Sequence, residues 1–228
     1  MSATEKVGHW VRDYLRAIHG HSLVFIHRNP PRHYLGHIVE GKNPIILIPG
    51  VFEKWHFLKA IADSLSLRGH PIYVLEHIGY NTKEIHHTAK SIREFIDKEK
   101  LKDVIIIAHS KGGLIGKHLL NFHNKDEKIK KVIAIASPFA GSHITKFIPH
   151  RAIMELSPHS QIVKELNEKK EFNHKIVSIF GLFDNHVWPE SSCRLEGAKN
   201  IEVHTHGHHK ILFDKKVHDI IASEIGDV

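Results

Sequence analysis

The sequence predicts an α/β fold, a mostly parallel sheet with helices on both faces, and two observations carry that prediction. Six short runs rich in β-branched residues recur along the chain: "PIILIPG" (Pro44 to Gly50), "PIYVLEH" (Pro71 to His77), "DVIIIAH" (Asp103 to His109), "KVIAIAS" (Lys131 to Ser137), "KIVSIFG" (Lys175 to Gly181) and "NIEVHTH" (Asn200 to His206). The first five are largely apolar instead of alternating, as strands buried on both faces are. Helical patterns of about 10 to 15 residues separate them, the spacing that parallel strands need for their crossovers.

The elements follow in order. Val7, Trp10, Val11, Tyr14, Leu15 and Ile18 recur at three- and four-residue steps, so the chain opens with an amphipathic helix. Such a stripe ordinarily docks on the body of the protein, and contact with an anionic membrane surface is its other use. "RNPPRH", Arg28 to His33, breaks regular structure. Residues 1–30 therefore read as a helix and linker and 31–228 as the main domain, with a small cap within 139–165. Ser157 and Pro158 predict the start of a helix, as cap and first helical residue.

Composition narrows the function classes. The chain has 228 residues, 41% of them hydrophobic and 25% charged, which is ordinary for one globular α/β unit. No apolar run approaches the roughly 18 residues of a membrane span. The first twenty residues lack the continuous apolar core of a secretory signal, and one cysteine, Cys193, forms no internal disulfide; a cytoplasmic protein is the expectation. A formal charge of +7 favours acidic partners, but the basic residues are scattered and no nucleic-acid motif accompanies them. The 24 histidines are expected mostly on the solvated surface. Oligomeric state is not legible.

Chemistry in such sheets lies beyond the carboxyl ends of the strands. There, "VIIIAHSKGGLIGKHLL" places Ser110 between a buried strand and a helix, with the small residues Ala108 and Gly112 beside it. A serine on such a corner projects above the sheet as a nucleophile, while the same position also suits a helix N-cap. A nucleophilic hydroxyl needs a base. Later strand ends supply Asp184 and the histidines His204, His206, His208 and His209, and Gly207 suggests a tight loop presenting His208. Ser110, Asp184 and His208 then stand in the chain order of a hydrolase triad.

"AHSKGG" resembles the A-H-S-x-G-G elbow of small bacterial lipases and esterases of the α/β-hydrolase fold. "RLEGAKNIEVHTHGHHKILF" is similar to their segment leading to the catalytic histidine, which implies His208 as base. "SIFGLFDNHVWPESS" resembles the segment carrying the acid, which implies Asp184. "ILIPGVFEKWHFLKAIADSL" is similar to their oxyanion loop, although Pro49-Gly50 stands where the family has His-Gly. The backbone N–H groups of Val51 and Lys111 are the implied oxyanion donors. The stretch after Ser137 resembles a cap in which Phe52, Phe139, Ile144, Phe147, Ile148, Ile153 and Met154 are candidates for an acyl pocket or lid.

The resemblance implies an esterase or lipase acting on apolar acyl esters or acylglycerols, with no cofactor and no metal. Acyl transfer or thioester cleavage on the same triad, and a catalytically inert lipid-binding protein, are the alternatives. A zinc site on "HTHGHH" is the remaining rival. It lacks the aspartate that the H-x-H-x-D-H pattern has where His208 stands.

Overall fold

A computed structural model describes residues 2–227. Each of the six runs coincides largely with a strand: β1 (Ile45–Ile48), β2 (Ile72–Val74), β3 (Val104–His109), β4 (Ile129–Ile135), β5 (Ile176–Phe183) and β6 (Lys199–His206). They form one sheet in the order β2-β1-β3-β4-β5-β6. Every neighbouring pair is parallel. The chain steps outward from β1 to β2 and then returns to β3 on the other side of β1. The loops after β1 and β3 therefore diverge, and a crevice opens between them at the carboxyl ends.

Successive side chains of a strand point to opposite faces, and here both faces are covered. Ile46, Ile48, Val104, Ile106 and Ala108 pack on one side with Ile92 and Ile96 of α4 (Ile85–Lys98), Leu114 and Ile115 of α5 (Lys111–Phe122) and Val163 and Leu166 of α7 (Gln161–Glu168). Ile45, Leu47, Ile105 and Ile107 pack on the other with Ile61 and Leu65 of α3 (Lys59–Ser66) and Val217 and Ile221 of α8 (Lys215–Ile225). This is why the inner strands carry no polar alternation, whereas the edge strand β6 alternates polar and apolar residues and is exposed at several of them. Truncating a fully buried contact such as Ile92→Ala costs about 2–5 kcal/mol.

Two expectations differ from the structure. The helix predicted at Ser157 and Pro158 begins at Gln161, and its cap is Ser160, whose Oγ accepts from the Val163 N–H at 3.3 Å. The same hydroxyl donates to the Glu155 carbonyl at 2.7 Å. Pro158 packs so closely on Gly141 that a Cβ there would lie 2.5 Å from its nitrogen, which holds residues 157–160 as a turn.

The second difference concerns α1 (Ala3–Ile26), which begins in a capping box between Ser2 and Glu5. The helix docks by the face opposite to the predicted one. Asp13 and Gly20 are buried, whereas Val7, Val11, Leu15 and Ile18 are 56–63% exposed. The physical reason is fit plus charge. Gly20 lets the helix come down on the Phe57 ring, 2.7 Å from where a Cβ would stand, and Asp13 finds partners in the loop after β6. A short α2 (His33–Gly36) follows, and α6 (Arg151–Met154) lies in the segment between β4 and α7.

Candidate active site

Ser110 leaves β3 at φ 51° and ψ −120°, a backbone region costly for any residue with a Cβ. Its side chain makes no capping hydrogen bond to α5, so helix capping gives no account of that conformation. Gly112 has to be glycine because a Cβ there would lie 2.3 Å from the Ile48 carbonyl oxygen. The start of α5 is thereby pressed against the end of β1, where the next loop begins.

In that loop Gly50 N–H donates to Glu53 Oε2 at 2.8 Å, and Phe52 N–H donates to the Tyr80 carbonyl at 2.8 Å. Val51 N–H, between them, has no protein acceptor among the described residues, and neither has Lys111 N–H in the first turn of α5. Unpaired donors of this kind suit a developing oxyanion. The Lys111 side chain is used differently. It is buried, donates to the Lys83 carbonyl at 2.6 Å and pairs with Glu155 at 2.9 Å, which ties the α6–α7 segment to the corner that carries Ser110.

His208 follows β6, and its Nδ1 donates to Asp184 Oδ2 at 2.7 Å. Asp184 Oδ1 accepts from the N–H groups of His186 at 2.7 Å and Val187 at 2.8 Å. Burial alone would raise the Asp184 carboxyl; the facing His208 ring and these donors outweigh it and hold the carboxyl below its ordinary value. Asp184 fixes the imidazole through one nitrogen, which leaves Nε2 for other work. Ser110 and His208 line one cavity of about 350 Å³, with Val51 in its wall.

Phe52, Ile144, Ile148 and Ile153 also line that cavity, together with Leu156. Three other candidates do not. Phe139 is buried in the core on the α5 side, and Phe147 and Met154 are exposed on the outside. Helical periodicity could not separate a cavity wall from a core position or an outer rim.

Several residues of the site had no reading in the sequence. The backbone of His208 is held at both ends: its N–H donates to Asn185 Oδ1 at 3.0 Å, and its carbonyl accepts from His109 Nε2 at 3.0 Å. His109 Nδ1 faces Glu53 Oε2 at 2.9 Å. Oxygen acceptors thus face both nitrogens of His109, while burial, outweighing the pull of Glu53, pushes the pKa of the ring down. Burial opposes charge on Glu53, but His109 and His209 hold its carboxyl well below the usual range.

His209 sits between two carboxylates, Nδ1 at 2.9 Å from Asp13 and Nε2 at 3.4 Å from Glu53. Burial would lower its pKa; the two acids push it up to about 10, so it is a buried imidazolium. Asp13 Oδ1 also accepts from the N–H groups of His209 at 2.7 Å and Lys210 at 2.8 Å. A Cβ on Gly207, at φ 122°, would lie 2.6 Å from that oxygen. The ring of His186 lies against those of His208 and His209, at 4.9 and 5.1 Å. Burial first, then those rings, push His186 down to about 3, so it stays neutral.

Ligand atoms that could share a metal converge, among the described residues, in three groups: Asp13-His186-His209, Glu84-His86-His87 and Asp184-His186-His208. His204 and His206 belong to none of them. His206 stacks on His9 at 4.4 Å instead, while His208 and His209 turn to different carboxylates. The run "HTHGHH" therefore does not gather as one ligand set.

The sequence profile of the alpha/beta hydrolase fold matches residues 43–157, from the strand before Val51 through the corner at Ser110. The chain belongs to this family. Among solved structures, this α/β hydrolase is similar to the mature form of the Bacillus licheniformis lipase BlEst2, with 16% identity, a TM-score of 0.67, and 86% of this chain and 96% of that one covered. It is also similar to a Paleococcus ferrophilus monoacylglycerol lipase, with 14% identity, a TM-score of 0.60, and 81% and 95% covered. A third is MGS-MChE2, an alpha/beta hydrolase enzyme from a lagoon-sediment metagenome, with 15% identity, a TM-score of 0.60, and 80% and 90% covered. At such identities the likeness is one of fold. No curated protein matches the chain.

Proposed function

We propose that this α/β hydrolase is a serine carboxylic-ester hydrolase that cleaves apolar acyl esters or acylglycerols through an acyl-enzyme. The observation that carries the reading is the single apolar-walled cavity shared by Ser110, on its strained corner, and His208, held by Asp184. Its volume of about 350 Å³ lies near the low end of ligand cavities, roughly 300–1,000 Å³, and suits an acyl chain of medium length.

In this mechanism His208 Nε2 takes the Ser110 Oγ proton as Oγ bonds to the ester carbonyl carbon. The carbonyl oxygen becomes an oxyanion and accepts from the N–H groups of Val51 and Lys111. Collapse breaks the bond to the alcohol oxygen, which leaves with the proton from His208. Water then attacks the acyl-enzyme by the same route, and the acid departs. Asp184 stabilises each imidazolium without taking its proton.

A chain-length series of p-nitrophenyl esters, run with Ser110→Ala alongside, tests the reading. The variant should lose about 10⁶-fold in kcat, and activity that survives the substitution overturns the mechanism. A fluorophosphonate probe should label Ser110; an inert binding protein would stay unlabelled. Product analysis with added alcohols or acyl-CoA separates hydrolysis from acyl transfer and thioester cleavage.

A further inference from the structure

We propose that the outward face of α1 and the rim of the cavity form one docking surface for anionic lipid, with α1 lying in the plane of that surface and the cavity mouth turned toward it. This rests on the esterase reading only for the use to which the docking is put. The surface itself stands on three observations.

The first is that α1 is mounted with its apolar stripe outward. Val7, Val11 and Leu15 project into solvent, and the helix cannot roll to bury them, because Asp13 is clamped to the His209 loop and Gly20 is seated on Phe57. A contiguous apolar patch held open in this way marks an interaction site.

The second is continuity with the site. Tyr14 and Ile18 belong both to the stripe and to the lining of the cavity that holds Ser110. Trp10 lies 6.2 Å from Trp188, and Trp188 lies 6.2 Å from Phe147, ring to ring. Phe147 is 72% exposed, and Ile148 beside it is exposed as well. The mouth is thus bordered by outward-facing apolar groups on two sides, and Trp10, half-buried with an indole N–H, has the character that suits a lipid–water boundary.

The third is charge. Arg12 follows the stripe residue Val11 and so stands about 100° round the helix from it, at the edge of the apolar face, whereas the Arg16 guanidinium turns back over the Phe213 ring at 5.1 Å. Lys6 and Lys146 are exposed on the same two rims, and Glu5 is the one exposed acid of α1. An apolar face edged with cations is the pattern of a helix lying on anionic lipid, and it would disfavour a second copy of an equally basic chain. No helix among the described residues is long and apolar enough to cross a membrane. A helix that lies flat is what remains for this face to do with lipid.

The test uses the full chain and sucrose-loaded vesicles of phosphatidylcholine, with and without phosphatidylglycerol at one part in four. Co-sedimentation and tryptophan emission are read independently of catalysis. The chain should bind the anionic vesicles, with a blue shift, and binding should weaken as salt is raised. Val7→Glu/Val11→Glu/Leu15→Glu, at exposed positions outside the cavity, should lower vesicle affinity more than about a hundredfold. It should leave hydrolysis of a short soluble ester within about twofold, the milder Val11→Ser/Leu15→Ser serving if the triple variant fails to fold. Absence of binding to anionic vesicles, or equal binding by the variants, overturns the proposal. So does a concentration-dependent dimer that the substitutions dissociate while vesicles go unbound, since the face is then an interface between copies. Vesicle binding without esterase activity would sink the functional reading and leave the docking surface standing.

Discussion

The placement of Ser110, Asp184 and His208 at one edge of the sheet was legible because each follows a strand, and a parallel sheet delivers strand ends to one edge. His109, Glu53 and Asp13 were not. Their work depends on which way a buried ring or carboxylate points, and nothing local sets that: His109 meets Glu53 across 56 residues and His208 across 99. The carboxylate that faces His208 makes the sharpest prediction at this scale. Asp184→Asn keeps the side chain's shape but offers His208 Nδ1 a poorer and neutral acceptor, so kcat on a soluble ester should fall about 10⁴-fold. A loss of less than tenfold, in a variant whose circular dichroism is unchanged, would remove Asp184 from the mechanism.

Among the elements, the strands were readable from continuous β-branched runs, and α1 from its three- and four-residue steps. Its facing was not, because periodicity locates an apolar stripe without saying what it meets. The decisive contacts come from the other face: one glycine and one acid in a stretch otherwise unremarkable in hydropathy. Asp13→Asn removes a carboxylate that faces a buried imidazolium and accepts two further N–H groups. Breaking such a pair costs about 3–5 kcal/mol, so Tm should fall by roughly 10 °C. Activity on a soluble ester should fall with it, because the loop that loosens carries His208. An unchanged Tm would show that α1 is held by packing alone.

Over the whole molecule, the histidines set the acid limit. Most of the 24 are not buried, but six are, His56, His70, His109, His118, His208 and His209. Loss of water pushes the buried His118 down to about 4 and the half-buried His186, crowded by the rings of His208 and His209, to about 3 from an ordinary value near 6.5. Between those values the unfolded chain takes up protons that the folded chain refuses, so stability falls as pH drops below about 6.5. His209 runs the other way. Its pKa is raised, so its contribution is complete below pH 6.5 and is lost as pH rises through about 10. Replacing the unpartnered ring of His118 by an apolar one isolates the acid limb. The Tm difference between His118→Leu and the parent should be constant above about pH 7 and shift in favour of the variant as pH falls from about 6.5 to 5; a difference independent of pH would mean that His118 binds its proton equally in the folded and unfolded chain.

The clamp between Asp13 and His209 also orders events in time. The two residues lie 196 positions apart, so their contact closes one of the longest loops in the chain. The helix that carries Asp13 leaves the ribosome well before His209 does. Until the loop after β6 arrives, α1 has no charged partner to seat it, and its apolar stripe and its acid are both open to solvent. Local helix and sheet form on closures far shorter than this one, so seating of the loop that carries His208 is bound to a late step of folding. A preparation can therefore regain its full secondary structure while still lacking a site that works.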